Sequence, residues 1–234
     1  MRPRTQRRDH RGFSLVELLV VVAVIATLVG LLIPALSAAR RAAQATTCAS
    51  NLRQAFLVCR IYADQSDGVG PAIGEPYATL PNWGLVVLEA SGLAGDSASE
   101  MYQEQTALVC PSVNRAFGGQ MTRTYAMNAT GHAGPALGDR DSYDDPQNPG
   151  HIRFDLVQFP DRAALLTDSR PAQFDSNAPP PTRSASVIDF RLTEHVADRL
   201  AMLHGADDRF NAAFFDGSCR PLGAVPPHWQ EPLP

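Results

Sequence analysis

FSLVELLVVVAVIATLVGLLIPALSAARRAAQ, residues 13–44, decides the architecture of this chain. From Leu18 to Ala39 it runs 22 residues without a formal charge, and Arg40 and Arg41 close it. At 1.5 Å per residue, a helix of that length is about 33 Å long, enough to cross a hydrocarbon core of about 30 Å. A secretory signal has a shorter apolar region, about 7–15 residues, followed by a small-x-small cleavage site. Here the run leads instead into Ala35, Leu36, Ala38, Ala39, Ala42, Ala43 and Ala45, all of which favour helix. The expectation is a membrane-spanning helix over about residues 15–39 that continues past the membrane.

Ahead of this run stands MRPRTQRRDHRG, residues 1–12, with five arginines against Asp9 and a formal charge of +4. A segment so basic and so poor in apolar residues cannot fold alone. The positive-inside bias keeps it in the cytoplasm and sends the rest of the chain outside, with Arg40 and Arg41 opposing weakly. Glu17 is the one charge set inside the apolar stretch. A carboxylate in hydrocarbon costs several kcal/mol unless it finds a partner, which makes it a candidate functional residue. Position alone equally allows it to sit at the interface and reach water.

Gly12-Phe13-Ser14-Leu15-Val16-Glu17, after a short arginine-rich leader, resembles the processing site of type IV prepilins and type II secretion pseudopilins. The resemblance implies that a prepilin peptidase cuts between Gly12 and Phe13 and N-methylates Phe13. It also implies that Glu17, fifth in the mature chain, neutralises the Phe13 ammonium of a neighbouring subunit when helices pack in a filament. Pro34 matches too, at a point where pilin helices often carry a proline that loosens or kinks them. The implied partners are the peptidase, other pilin or pseudopilin subunits and the inner membrane.

Downstream, Leu52, Phe56, Cys59 and Ala63 fall at i, i+4, i+7 and i+11 and draw an apolar stripe, while Asn51, Arg53, Gln54 and Arg60 lie largely off it. One long helix is expected from about Ser14 to Ala63 or Asp64, ended by Asp67-Gly68 and Pro71. The organisation read from this is a leader at 1–12, a long helix within 13–66, a globular head over 67–222 and a proline-rich tail at 223–234. In the head, Leu80–Leu93 reads as a short helix closed by Gly92. Candidate strands are Thr106–Val109, Arg123–Met127, Ala163–Thr167, Val187–Phe190 and Leu200–Leu203. Phe210–Phe215 and Ser218–Leu222, separated by Asp216-Gly217, read as a hairpin with a two-residue turn. Asp139–Gly150 and Asn177–Thr182 read as loops. The fold class expected is α+β and pilin-like: a long N-terminal helix packed on a small antiparallel sheet.

Cys48-Ala-Ser-Asn51-Leu52-Arg53-Gln54, Cys110-Pro111-Ser112, Thr124-Tyr125-Ala126-Met127-Asn128 and the stretch from His204 to Asp216-Gly217 also resemble a bacterial prepilin-like group with a C-terminal His-x9-Asp-Gly pattern. Eleven residues, not nine, separate His204 from Asp216 here, so no role is carried over to His204, Asp216 or Gly217. Cys48 and Cys59 are about 16 Å apart along one helix and cannot bridge, which leaves two complete pairings of the four cysteines. The resemblance favours Cys48–Cys110 with Cys59–Cys219. An exported head lies where disulfides persist.

A zinc site usually shows closely spaced ligand pairs, and the sequence has no Cys-x2-Cys or His-x3-His, so no metal ligand set is assigned. Asp139, Asp141, Asp144 and Asp145 gather hard oxygen ligands within seven residues and could hold calcium, as in some pseudopilins, although no EF-hand register is present. A solvated acidic loop is the plainer reading. His204 near Asp207 and Asp208 could mimic a base with orienting acids. There is no Gly-x-Ser-x-Gly elbow and no phosphate-binding glycine loop, so no catalytic residue is assigned.

Composition excludes some classes. All 20 basic residues are arginine and face 24 acids, for a net charge of −4. Setting the leader apart leaves −8 from Phe13 onward, which excludes a strongly basic nucleic-acid binder. A filament subunit is the expected function. A permanent membrane anchor displaying a ligand- or carbohydrate-binding head is the alternative, with a tethered hydrolase third.

Overall fold

The computed structural model describes residues 15–73, 82–93, 95, 98–130, 150–172, 178–204 and 208–230. The chain divides into two compact units, residues 1–40 and 41–234. Helix α1, Leu15–Gln65, runs through the boundary with Pro34 inside it. Its end is built as the sequence requires. Asp67 and Gly68 take positive φ of 50° and 84°, and the Gly68 N–H donates to the Ala63 carbonyl at 2.9 Å, the 6→1 bond of a Schellman ending.

Within the second unit, α1 buries Cys48, Leu52, Ala55, Phe56, Cys59 and Ala63, the stripe read from the sequence with Cys48 and Ala55 added. Helix α2, Trp83–Ala90, starts on Asn82, whose side chain accepts the Leu85 N–H at 3.1 Å, and is followed by Gly92 at φ 84°. The short helices α3 (Ala98–Met101), α4 (Pro111–Ala116) and α5 (Thr193–Arg199) had no clear periodicity to announce them.

Five strands form one sheet: β1 Tyr125–Asn128, β2 Ala164–Asp168, β3 Val187–Ile188, β4 Phe210–Phe214 and β5 Cys219–Leu222, in the order β3-β1-β2-β4-β5. Only β3 runs parallel, alongside β1. One face carries Tyr125, Met127, Leu165, Leu166, Ala213 and Phe215 into the core formed with α1 and α2. The other carries Ala126, Ala164, Phe210, Ala212 and Phe214 against Phe190, Leu200 and Trp229. An irregularity in β2 between Ala164 and Leu166 puts Leu165 and Leu166 on the α1 side together. The proline-rich tail is part of this second core. Pro227–Gln230 is a 3-10 turn, and Trp229, 5% exposed, sits 4.8 Å from the Phe190 ring and donates its indole N–H to the Arg162 carbonyl at 2.9 Å.

Three expectations change. Thr106–Val109 is a turn, because the Thr106 hydroxyl accepts the Leu108 N–H and its carbonyl accepts the Val109 N–H just ahead of Pro111. Leu200–Leu203 makes only an isolated bridge from Leu200 to Ser169 as the chain leaves α5. The β4–β5 connection spans the four residues 215–218. Gly217 has φ 82° but Asp216 is not left-handed, so the type I′ turn, which needs positive φ at both positions, does not form. Instead the Phe214 N–H donates to Ser218, and the Gly217 N–H donates back to Phe214.

Candidate functional site

The first candidate surface is the start of α1. Every large apolar side chain between positions 15 and 36 is at least 46% exposed, from Leu15 at 78% to Val29 at 46%. Fifteen such side chains left in water would forgo on the order of 20–40 kcal/mol of transfer free energy. The helix is long and apolar enough to cross a membrane, and its polar side chains are turned inward: the Thr27 hydroxyl donates to the Ala23 carbonyl at 2.8 Å and Ser37 to Ile33 at 2.9 Å. Pro34 has no N–H for the Gly30 carbonyl, yet the helix continues through it. Glu17 lies exposed in the first turn, where the helix dipole favours an acid. Gly12 and Phe13 lie outside the described residues.

The second candidate is a buried polar cluster in the head. Cys48, on α1, faces Cys110, the residue that starts α4 ahead of Pro111. They form a disulfide with Cα atoms 4.4 Å apart, the first half of the favoured pairing. The Thr124 hydroxyl accepts the Cys110 N–H at 2.5 Å, the Tyr125 hydroxyl donates to the Cys48 carbonyl at 2.9 Å, and the Asn51 amide donates to the Val109 carbonyl at 2.8 Å. These contacts involve residues of the Cys48–Gln54, Cys110-Pro111-Ser112 and Thr124–Asn128 stretches. The sequence singled these stretches out but could not bring them together.

His204 completes the cluster. It is 3% exposed, with Nε2 3.5 Å from Cys110 Sγ and 3.0 Å from Asp168 Oδ2. Asp168, wholly buried at the end of β2, also accepts the Asn211 N–H at 2.5 Å. Its acid partner is therefore Asp168, not the nearby Asp208; Asp207 lies outside the described residues. Asp168 was missed because it is 36 residues from His204 in an apolar-looking strand. Burial of the Tyr125 hydroxyl, and after it the Asp168 charge, hold that hydroxyl well above its ordinary pKa. Asp216 and Gly217 are not part of this cluster. They form the turn after β4, where Asp216 accepts the Ser218 N–H at 2.8 Å, while His204 pairs with Arg209 before β4. The histidine-to-Asp-Gly stretch thus brackets a strand. The Asp139, Asp141, Asp144 and Asp145 loop lies outside the described residues.

The Cys59–Cys219 half of the pairing is corrected: both thiols are free. Gly217 lies over Phe56, and the Cys219 thiol feels the charge of Arg53. Cys59 is sealed in the core on α1, whereas Cys219 opens the edge strand β5 and is only partly buried, and the two are not bonded. Burial pushes the Cys59 thiol up to about 12; burial and the Asp168 charge push Cys219 up to about 12. Both are neutral in the folded chain, whereas unfolding returns them to about 9. Folding stability is therefore fully present below pH 9 and falls as pH rises from there toward 12. At pH 8, N-ethylmaleimide should label neither native thiol at more than roughly one-hundredth the rate of a free cysteine, and both after denaturation. Rapid labelling of native Cys59 would contradict this burial.

Compared with known families, residues 7–33 match the one described as the prokaryotic N-terminal methylation motif. The match covers the basic leader's end, Gly12, Phe13, Glu17 and most of the apolar run, and does not extend to the His204–Gly217 stretch. No curated protein and no solved structure matches the chain.

Proposed function

We propose that this chain, a prepilin-like protein by its N-terminal methylation motif, is a structural subunit of a type IV pilus or type II secretion pseudopilus. The apolar helix and the motif fit anchoring in the inner membrane. In this reading the leader stays cytoplasmic and the head lies across the membrane. A prepilin peptidase cuts after Gly12 and N-methylates Phe13. Assembly then moves the apolar helix from lipid into a bundle of like helices.

One observation carries the reading: the segment at 15–36 presents apolar side chains on all sides, and only one acid, Glu17, interrupts them near the start. Exchange between lipid and neighbouring helices replaces one apolar environment by another, so it needs little net driving force and can run both ways. Pairing of Glu17 with a neighbour's Phe13 ammonium leaves neither charge alone in apolar surroundings. The alternative is a permanent membrane anchor displaying a ligand- or carbohydrate-binding head. The cavity beside His204 holds about 120 Å³, whereas small-molecule sites run to about 300–1,000 Å³.

Filaments sheared from producing cells test the proposal. The chain is expected in that fraction without residues 1–12. Recovery solely in membranes with residues 1–12 retained would contradict it.

A further inference from the structure

The disulfide, His204 and Asp168 form a donor set larger than a structural cross-link needs. Cys48 Sγ, Cys110 Sγ and a ring nitrogen of His204 lie within 4.8 Å of one another, and Asp168 Oδ2 is 3.0 Å from the same ring. All four residues are buried, with none more than 3% exposed. Among the described residues, Asp168 Oδ1 and His204 Nδ1 have no hydrogen-bond partner although both are inaccessible to solvent. Leaving such atoms unsatisfied costs about 1–3 kcal/mol each, more for a charged group, so their retention calls for a ligand or a second state.

We infer that these residues make a redox-gated zinc site: locked as a disulfide when oxidised, and a Cys48-Cys110-His204 set for one Zn²⁺ when reduced, with the Asp168 carboxylate beside the same ring. The spacing fits. Zinc bonds of about 2.3 Å to sulfur, 2.0–2.1 Å to nitrogen and 2.0–2.2 Å to oxygen place tetrahedral ligand atoms about 3.6 Å apart for S···N and about 3.4 Å for N···O. The observed separation from Cys110 Sγ to His204 Nε2 is 3.5 Å, whereas Asp168 Oδ2, 3.0 Å from the same nitrogen, is closer than a second ligand oxygen would sit. The two sulfurs must separate, and breaking their bond permits that. A dithiol reductant supplies the two electrons and two protons that convert the disulfide to two thiols, and leaves as its own cyclic disulfide. Metal binding then releases both thiol protons, since thiolates are the ligands. The cavity lined by Arg41, Ser112, Arg115, Leu203 and His204 reaches the ring and gives the ion a route in.

The test uses the full chain in detergent with Cys59→Ala and Cys219→Ala, so that only two thiols remain. It is reduced by a dithiol in denaturant, desalted without oxygen, refolded and titrated with Co²⁺ and then Zn²⁺. One Co²⁺ per chain is expected, with tetrahedral ligand-field bands and a thiolate charge-transfer band that Zn²⁺ abolishes, and with no such spectrum from the oxidised chain. His204→Ala should weaken binding by roughly 100-fold or more, and Asp168→Asn by about tenfold. His204→Cys should restore tetrahedral binding with a stronger thiolate band, which a merely structural role for His204 would not produce. Folding of the reduced chain only when metal is added also supports the site. The inference is overturned if the reduced chain takes up no stoichiometric Co²⁺, folded or not. It is equally overturned if the oxidised chain gives the same tetrahedral spectrum, or if His204→Ala keeps the affinity and spectrum.

Discussion

Glu17→Ala should leave the chain in the membrane at normal abundance while its content in the sheared filament fraction falls by roughly 100-fold or more. Membrane retention depends on the apolar run after Glu17, which the substitution does not touch. Incorporation is different. In the proposed bundle the N-methylated Phe13 ammonium lies among apolar helices, and removing its carboxylate leaves a buried charge alone. Breaking a buried pair in this way costs about 3–5 kcal/mol, which sets the size of the expected loss. Glu17→Gln should behave like the alanine variant, because it keeps the shape and a hydrogen bond but not the charge. Quantitative immunoblots of both fractions decide the matter, and wild-type incorporation of Glu17→Ala would remove Glu17 from the assembly mechanism.

Replacing both bridged cysteines, Cys48→Ala with Cys110→Ala, should cost the head about 4 kcal/mol. The two residues are 62 apart in sequence. The chain-entropy estimate for a loop of that length gives about 4 kcal/mol from the unfolded state alone. For a unit of this size each kcal/mol lowers the melting temperature by about 2–4 °C, so the expected fall is about 8–16 °C. The expectation rests on where the bond sits, joining α1 to the loop that begins α4 beneath β1. Thermal unfolding of the oxidised full chain and of the double variant, followed by near-ultraviolet circular dichroism, checks it. A shift under about 3 °C would mean that the packing of Leu52, Phe56 and Tyr125 holds α1 in place without the bond.

The long helix was legible because its evidence is local. An uncharged run, an apolar stripe and an Asp-Gly stop each lie within one segment, and α1 ends within a residue or two of the expected Asp64. All five strands overlap expected positions for the same reason, since alternation and turn residues are properties of short windows. The head's site was not legible. Cys48, Cys110, Asp168 and His204 come from four distant segments, and no spacing rule joins them. Asp168 reads as the polar end of an apolar strand, and only the antiparallel pairing of β2 with β4 carries it beside Asn211 and His204. The Cys48–Cys110 pairing came from resemblance. The other pairing did not form: Cys59 is sealed in the core on α1, and Cys219 opens the edge strand β5, only partly buried. Trp229 was hidden by the prolines around it, which suggested a tail where the chain returns to cover Phe190, Phe210 and Phe214.

The intact mass and N-terminal fragment spectrum of the chain taken from sheared filaments test the central claim most directly. The account predicts a single species that begins at Phe13, carries one methyl group on its α-amino nitrogen and retains one disulfide. A filament-associated chain that still begins at Met1 or Arg2, or one that begins at Phe13 without the methyl group, would contradict it.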